Sequence, residues 1–528
     1  MRFLSALAVL GIGGGSVALT GALQNGSSVE ESWGTQLSTL PRSTVQANTI
    51  ITDNTANVFA GGQYEGVLGV ASTGSSTLRT LTAPGRIGGY VVGMANRGGY
   101  VDGRISWTLN IETKVANSDG ASVSSLKENN GKLFVAGSYD TDSAAASLLS
   151  ASGSTLGSPT TIRRSGNTSM STGIFVLGFV LSNFNPTLEW TFTSDVFTTS
   201  VERNIKIDTD GTTIYTAVSE QSRSGTGRDT RIFTILADPG GVVPESESAV
   251  QTSIVLSSTE FKDIAYIQSY NAASGYIAVL MDTSADTITA NVTRADGTFA
   301  ISTLVSGIQD APASILLALD KDFTPKWMVS ATNFGLEMSG LASDLKSGVY
   351  FVGTHRGSAN TVVYQYIKNA DGLSQSSTTA TLAVPQKSNI FVGHIWANGA
   401  FDPNFLPAQT TIGGIGEDIG HSIDYRHDRL TIAAAIDGVA VNGQTTQAVV
   451  VSIDPTTGAP KWAAIVAGER DNTVPFDVAI VPQTDNLGRR SQPDSVLTGS
   501  FSGTFDYRSI TMTSQGSQDG FILPATAP

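Results

Sequence analysis

Leu133-Phe134-Val135-Ala136-Gly137-Ser138, then Ile174-Phe175-Val176-Leu177-Gly178, then Trp190 is the passage that decides how this chain folds. The first piece alternates apolar side chains and ends in small residues, as a short strand does. The second is apolar without a break, which suits a strand buried on both faces. The tryptophan follows a turn-like Asn185-Pro186-Thr187-Leu188-Glu189. The same three signals recur in the same order along the chain, which marks a repeat architecture.

The first signal stands at 57–62, 133–138, 214–219, 275–279, 349–354, 430–434 and 495–500. The second is interleaved with it at 90–93, 174–178, 232–236, 315–319, 390–393, 448–451 and 521–523. The third is an aromatic residue about ten positions on: Trp107, Trp190, Trp327, Phe405 and Trp462, with a degenerate copy near Ile254-Val255. The last repeat runs out of chain before its aromatic, and Trp33 supplies one ahead of the first repeat. The ends therefore complete one unit between them. This predicts an all-β fold, a seven-bladed β-propeller closed by pairing of N- and C-terminal segments, because ring closure removes the exposed edges of an open repeat. The propeller domain takes 33–528, with blades starting near 33, 107, 190, 255, 327, 405 and 462. About 71 residues per blade exceeds the roughly 40–50 of common four-stranded blades, so longer loops or extra hairpins are expected.

Composition agrees. Only 14% of the 528 residues are charged and 40% are hydrophobic, with 56 glycines. Hydroxyl and amide side chains supply the polarity, as in short strands joined by tight turns. A net charge of −14 repels phosphate backbones, so no nucleic-acid partner is expected. Met1-Arg2 followed by an apolar run to Leu19 and a small-residue exit near Thr20-Gly21-Ala22 reads as a signal peptide over 1–22, with a short linker at 23–32. The competing reading is an uncleaved anchor. No membrane span is expected after cleavage. A cysteine-free exported chain has no disulfide framework and depends on burial and strand pairing.

The segment 495–507 with 511–522 resembles the SBBP-type seven-bladed propeller repeat, and Gly413-Gly414 through Asp418 with Asp402-Pro403-Asn404-Phe405 resembles other parts of it. The stretch 452–462, ending Gly458-Ala459-Pro460-Lys461-Trp462, is similar to the tryptophan-docking repeat of quinoprotein-like propellers. These resemblances imply a propeller and export, and little about a ligand.

An acidic residue recurs before the first strand signal. Glu202, Asp263, Glu337 and Asp418 precede Tyr215, Tyr276, Tyr350 and Thr431 by 13, and Asp119 and Asp477 match at longer intervals. A propeller would set such residues in a ring, an acidic rim able to hold a divalent cation or a basic ligand. The structural alternative is that each carboxylate accepts backbone N–H groups. Trp33, Trp107, Trp190, Trp327, Phe405 and Trp462 are expected to dock the blades by packing, and Trp396, outside the register, is the candidate exposed ring. Asp208-Thr209-Asp210-Gly211 reads as a hairpin turn, since it lacks the later ligands of a calcium loop. His421, Asp424 and His427 form no evident metal trio on a strand, and no cofactor or catalytic motif stands out. Asn25, Asn167 and Asn291 begin Asn-x-Ser/Thr triplets. The reading is a secreted or cell-surface binding or structural module in adhesion or matrix, with protein or glycan partners and self-assembly as a further option. The alternative is an extracellular polysaccharide-acting hydrolase or lyase with its site at the axis, built from Asp119, Asp263, Asp418 and His421.

Overall fold

A computed structural model describes residues 34–526 except 40–42, 73–78, 98–100, 114, 116–119, 164–170, 198–203, 223–226, 239–248, 269–274, 295, 307, 309–311, 333–334, 347, 357–360, 370–371, 383–386, 406–410, 414–416, 439–444, 466–472, 484–492 and 508–509. The expected signal peptide (1–22) and linker (23–32), Asn25, Trp33, Asp119, Asn167, Glu202 and Gly414 lie outside the described residues.

Among the described residues the regular structure is almost wholly strand, arranged as antiparallel meanders of four. β1 (Thr35–Thr39) is taken up by the last of them. β2 (Val45–Thr52), β3 (Val58–Ser72), β4 (Arg79–Asn96) and β5 (Val101–Thr113) form the first. β6 (Ala121–Asn129) and β7 (Lys132–Tyr139) begin the second. The hairpin β8 (Ser143–Ser150) and β9 (Thr160–Arg163) then leaves to pair with β5, before β10 (Ser171–Ser182) and β11 (Asn185–Phe197) complete it.

β12 (Ile205–Thr209), β13 (Thr213–Gln221), β14 (Arg228–Leu236) and β15 (Thr252–Leu256) follow. In the fourth, β16 (Thr259–Ile267) and β17 (Tyr276–Thr283) give way to the hairpin β18 (Thr287–Arg294) and β19 (Phe299–Ser306), which pairs with β15. β20 (Ala313–Asp320) and β21 (Pro325–Thr332) return to the meander. The fifth has β22 (Leu336–Ser343), β23 (Val349–His355), a hairpin β24 (Thr361–Asn369) and β25 (Gly372–Leu382) laid on β21, then β26 (Asn389–Ile395) and β27 (Thr411–Ile412).

The sixth is β28 (Ile419–Arg426), β29 (Arg429–Gly438), β30 (Thr445–Ile453) and β31 (Pro460–Ile465). The last is β32 (Thr473–Ile480) and β33 (Ser495–Phe501), the hairpin β34 (Thr504–Tyr507) and β35 (Ile510–Thr513), and β36 (Asp519–Ala525). Its fourth strand is β1, with Thr35 opposite Ile522 and Leu37 opposite Gly520. The two ends of the chain thus share one sheet.

The meanders form a β-propeller. Their first strands touch in a cycle, β2 against β6, β6 against β12, β12 against β16, β16 against β22, β22 against β28, β28 against β32, and β32 back against β2. The hairpins inserted between second and third strands account for the long repeat. Three of them pair with the outer strand of the preceding meander and fuse sheets. A single parallel pairing, Val305 with Leu373, joins two hairpins into a twelve-stranded sheet whose end strands β12 and β16 meet at the axis, a nearly closed barrel.

The repeat signals map onto this order. The first falls on the second strand, the second on the third strand, and the aromatic on the outermost strand or the turn before it. Second and third strands are buried on both faces: every residue of β23 and of β33 is buried. That is why the apolar runs of the third strands are unbroken. Trp107 and Trp327 dock neighbours by donating Nε1–H to the carbonyls of Phe184 (3.0 Å) and Ala397 (2.9 Å), each on the third-to-fourth-strand turn of the next meander. Gly93 and Gly178 end the second signal for a packing reason, since a Cβ there would run into the indoles of Trp107 and Trp190. Trp190 and Phe405 are buried and Trp462 is partly covered.

Candidate functional site

The first strands leave one face toward the axis, and a cavity of about 790 Å³ runs between them, lined by residues of all the strands of the cycle. Most of these strands carry a β-bulge: β2 between Gln46 and Thr49, β6 between Val123 and Ser125, β16 between Phe261 and Asp263, β22 between Met338 and Gly340, β28 between Gly420 and Ser422, and β32 between Pro475 and Asp477. A bulge twists its strand and re-aims the next side chain. Of the residues just past the bulges, Thr49, Ser125, Asp263, Ser422 and Asp477 line the cavity, and Gly340 does not.

Several of them also bind the next strand of the cycle. Ser125 Oγ accepts from Ile207 N (3.1 Å), Asp263 Oδ2 from Leu341 N (2.8 Å), and Asp477 Oδ2 from Ile50 N (2.9 Å). The same spacing puts Lys206 of β12 at the equivalent position. Two residues on, Asp208 Oδ2 accepts from Tyr266 N (2.8 Å) and Asp424 Oδ2 from Ile480 N (2.8 Å). First strands have no ladder partner on the axial side, so side-chain acceptors satisfy backbone N–H groups there.

The charges are mixed. Lys206 acts on both Asp263 and Asp477, and Lys127 Nζ meets Asp208 Oδ1 at 2.6 Å. Burial pushes Asp263 up to about 6 and Asp477 adds to this, against the pull of Lys206 and the N–H groups of Leu341 and Ile264. Burial likewise raises Asp477, against Lys206, the Ser422 hydroxyl and two backbone N–H donors. At the mouth, Asp210 sits in the β12–β13 turn, where it accepts from Thr212 N, Thr213 N and Lys321 Nζ (2.5 Å). Burial pushes its carboxyl up, but Lys321 and those N–H donors outweigh it and hold it down at about 2. Asp208-Thr209-Asp210-Gly211 therefore leads into a hairpin turn.

The acidic residues of the sequence do not take one position. Asp263 and Asp477 face the cavity. Glu337 lies three residues before Gly340, half exposed, and pairs with Arg356 at 3.1 Å. Asp418 is buried ahead of β28, its N–H bonded to Ser388. The interval of 13 fails as a guide because first-to-second-strand turns differ in length. From a residue past the bulge to its partner the count runs from 11 (Ser125 to Ala136) to 21 (Asp477 to Thr498). Counting from the bulge would have found Ser125, Lys206, Asp208 and Asp424, which the fixed interval missed.

Asp424 and His427 both line the cavity, Asp424 from β28 and His427 from the turn after it with φ of 50°. His421 does not line it. Its Nε2 is buried and unpartnered among the described residues, and burial lowers the ring to about 4. No group of three His, Asp or Glu among the described residues is set to hold a metal.

A second polar cluster lies beside the mouth. His394 is buried, with Nδ1 3.0 Å from Asp402 Oδ2 and Nε2 3.1 Å from Asp344 Oδ2. Tyr350 stacks on it at 4.3 Å, and the half-exposed Trp396 ring meets it edge-on at 4.6 Å. Burial pushes Asp344 up, but His394 and the N–H groups of Lys346 and Gly348 outweigh it and hold the carboxyl low. Both ring nitrogens of His394 thus face carboxylate oxygens, from two separate turns of one meander.

No family model matches the chain. No curated protein matches it either, so the SBBP-type and quinoprotein-like likenesses stay resemblances. Among solved structures the chain is similar to Drosophila Semaphorin 1a, extracellular domains 1–2, at 11% identity and a TM-score of 0.33, over 78% of this chain and 86% of that one. It is also similar to Drosophila Plexin A in complex with Semaphorin 1b, at 8% identity and a TM-score of 0.29, over 93% and 88%. No helix of the described residues is long and apolar enough to cross a membrane.

Proposed function

We propose that the chain is a seven-bladed propeller acting outside the cell as a non-catalytic binding module, with a hydroxyl-rich ligand such as a glycan end seated in the axial cavity. The observation that carries this is the cavity wall: every strand of the cycle contributes to it, and it presents hydrogen-bonding groups of both signs. Such a wall suits a polar ligand better than an apolar one. The Asp263 and Asp477 carboxylates already accept backbone N–H groups from two strands each. That favours a structural and positioning role over acid–base work, and neither Asp418 nor His421 shares the cavity with Asp263. Export rests on the N-terminal pattern, and an acidic surface suits a soluble extracellular protein.

The test is a glycan array followed by titration calorimetry on the best hit, comparing the native chain with Gln268→Trp, a plug at the exposed mouth of the cavity. A hit weakened at least about tenfold (about 1.4 kcal/mol) by the plug is expected. Binding indifferent to the plug would move the ligand elsewhere, and turnover of a polysaccharide by the pure chain would overturn the non-catalytic reading.

A further inference from the structure

The β18–β19 hairpin projects from the outer rim, and the run 296–303 is exposed throughout. Phe299 is 61% exposed and Ile301 67%, the two most exposed large apolar side chains among the described residues. They share one face of β19 with Thr303, opposite Thr293, Asn291 and Thr289 of β18. On its other side β19 pairs with β25 only at Val305. Among the described residues no strand pairs with Phe299 through Thr303 on that side, which leaves a strand edge beside an apolar pair. Natural edges are commonly blunted by charge or proline, yet 298–306 contains neither.

We propose that this edge is a self-association surface, on which β19 pairs antiparallel with β19 of a second copy about a two-fold axis near Ile301. The local charge pattern selects that occupant. An isologous contact sets the residues at its two-fold axis against their own copies, so any charge near the axis would face a like charge. The chain carries a net charge of −14, and 298–306 is a stretch without a charged residue. Antiparallel self-pairing also satisfies the edge N–H and C=O groups with no other sequence required. The contact is small, in the range of weak or transient interfaces, so dimerisation is expected at micromolar concentration.

The absence of cysteine from the chain provides a clean test. Ala300→Cys, Ile301→Cys and Ser302→Cys, each alone, are incubated with a mild oxidant, and covalent dimer is followed on non-reducing gels beside Leu156→Cys, an exposed site elsewhere. The proposal expects crosslinking at least about tenfold faster at the best β19 site than at Leu156. It also expects the native chain to shift from monomer to dimer in sedimentation velocity between about 1 and 200 μM, with Ile301→Lys staying monomeric. A native chain monomeric throughout, a dimer unaffected by Ile301→Lys, or equal crosslinking at Leu156 overturns it, and a monomer would leave the edge to a different partner.

Discussion

Replacing Asp263 by asparagine should make stability less sensitive to pH. The carboxyl sits in the cavity wall with its titration pushed up to about 6 by burial and by Asp477, against about 3.9 in an unfolded chain. Between about pH 4 and pH 6 the folded protein keeps a proton that the unfolded chain has lost. The stability tied to this group is thus fully present below about pH 4 and is lost as pH rises through 6. A shift of about 2 units corresponds to about 3 kcal/mol, and solvent in the cavity trims the realised part to about 1–3 kcal/mol. A chain of this size has an unfolding entropy of about 1 kcal/mol per kelvin, so the effect is about 1–3 °C in melting temperature. The assay is differential scanning calorimetry of the native chain and Asp263→Asn from pH 4.5 to 7.5. Subtracting the two cancels carboxyls that do not act on Asp263; Asp477 does act on it, and repeating both scans in an Asp477→Asn background separates its part. Loss of one N–H acceptor adds a pH-independent offset. The native chain should lose about 1–3 °C relative to the variant across that range. A flat difference, or one that favours the native chain as pH rises, refutes the assignment of Asp263 as a buried, ionisable staple.

Gly93→Ala and Gly178→Ala each force a methyl against a buried indole and should cost about 1–3 kcal/mol, read as a lower melting temperature with altered tryptophan emission. Asp402→Ala leaves the buried His394 without one of its two hydrogen-bond partners and should cost about 1–3 kcal/mol, and Asp402→Asn should recover part of it. Thr35→Cys with Ile522→Cys, which face each other across β1 and β36, should oxidise to an intrachain bond seen by mass and gel mobility. Failure to form it would argue against the terminal closure.

The strands legible in the sequence are those whose chemistry repeats. Third strands are buried on both sides, so Ile315 through Leu319 reads as an unbroken apolar run; second strands such as Val349 through Thr354 read as alternating but are buried throughout, and the tryptophans mark the outer strands. First strands were illegible as a class. They are half polar, they bulge, and their side chains serve the axis, so Ser125, Lys206 and Asp477 occupy one position with unrelated chemistry. Asp263 stands out because it is acidic, whereas Asp208 and Asp424 escape the interval of 13 because they lie two residues further along their strands, each seven before its second-strand partner. The inserted hairpins were visible only as excess length, since 143–163 and 287–306 carry ordinary strand composition. Nothing in the sequence brings Asp344, His394 and Asp402 together, because they meet through two separate turns of one meander.

The central claim is a ring of seven four-stranded blades enclosing one axial cavity and closed by β1 on β36. A crystal or cryo-electron microscopy map of the chain tests it most directly. The account predicts seven sheets around the axis, Asp263 and Asp477 in the cavity wall, and Thr35–Thr39 paired with Asp519–Ala525. A map with another number of sheets, or with Thr35–Thr39 away from the C-terminal strand, would contradict it.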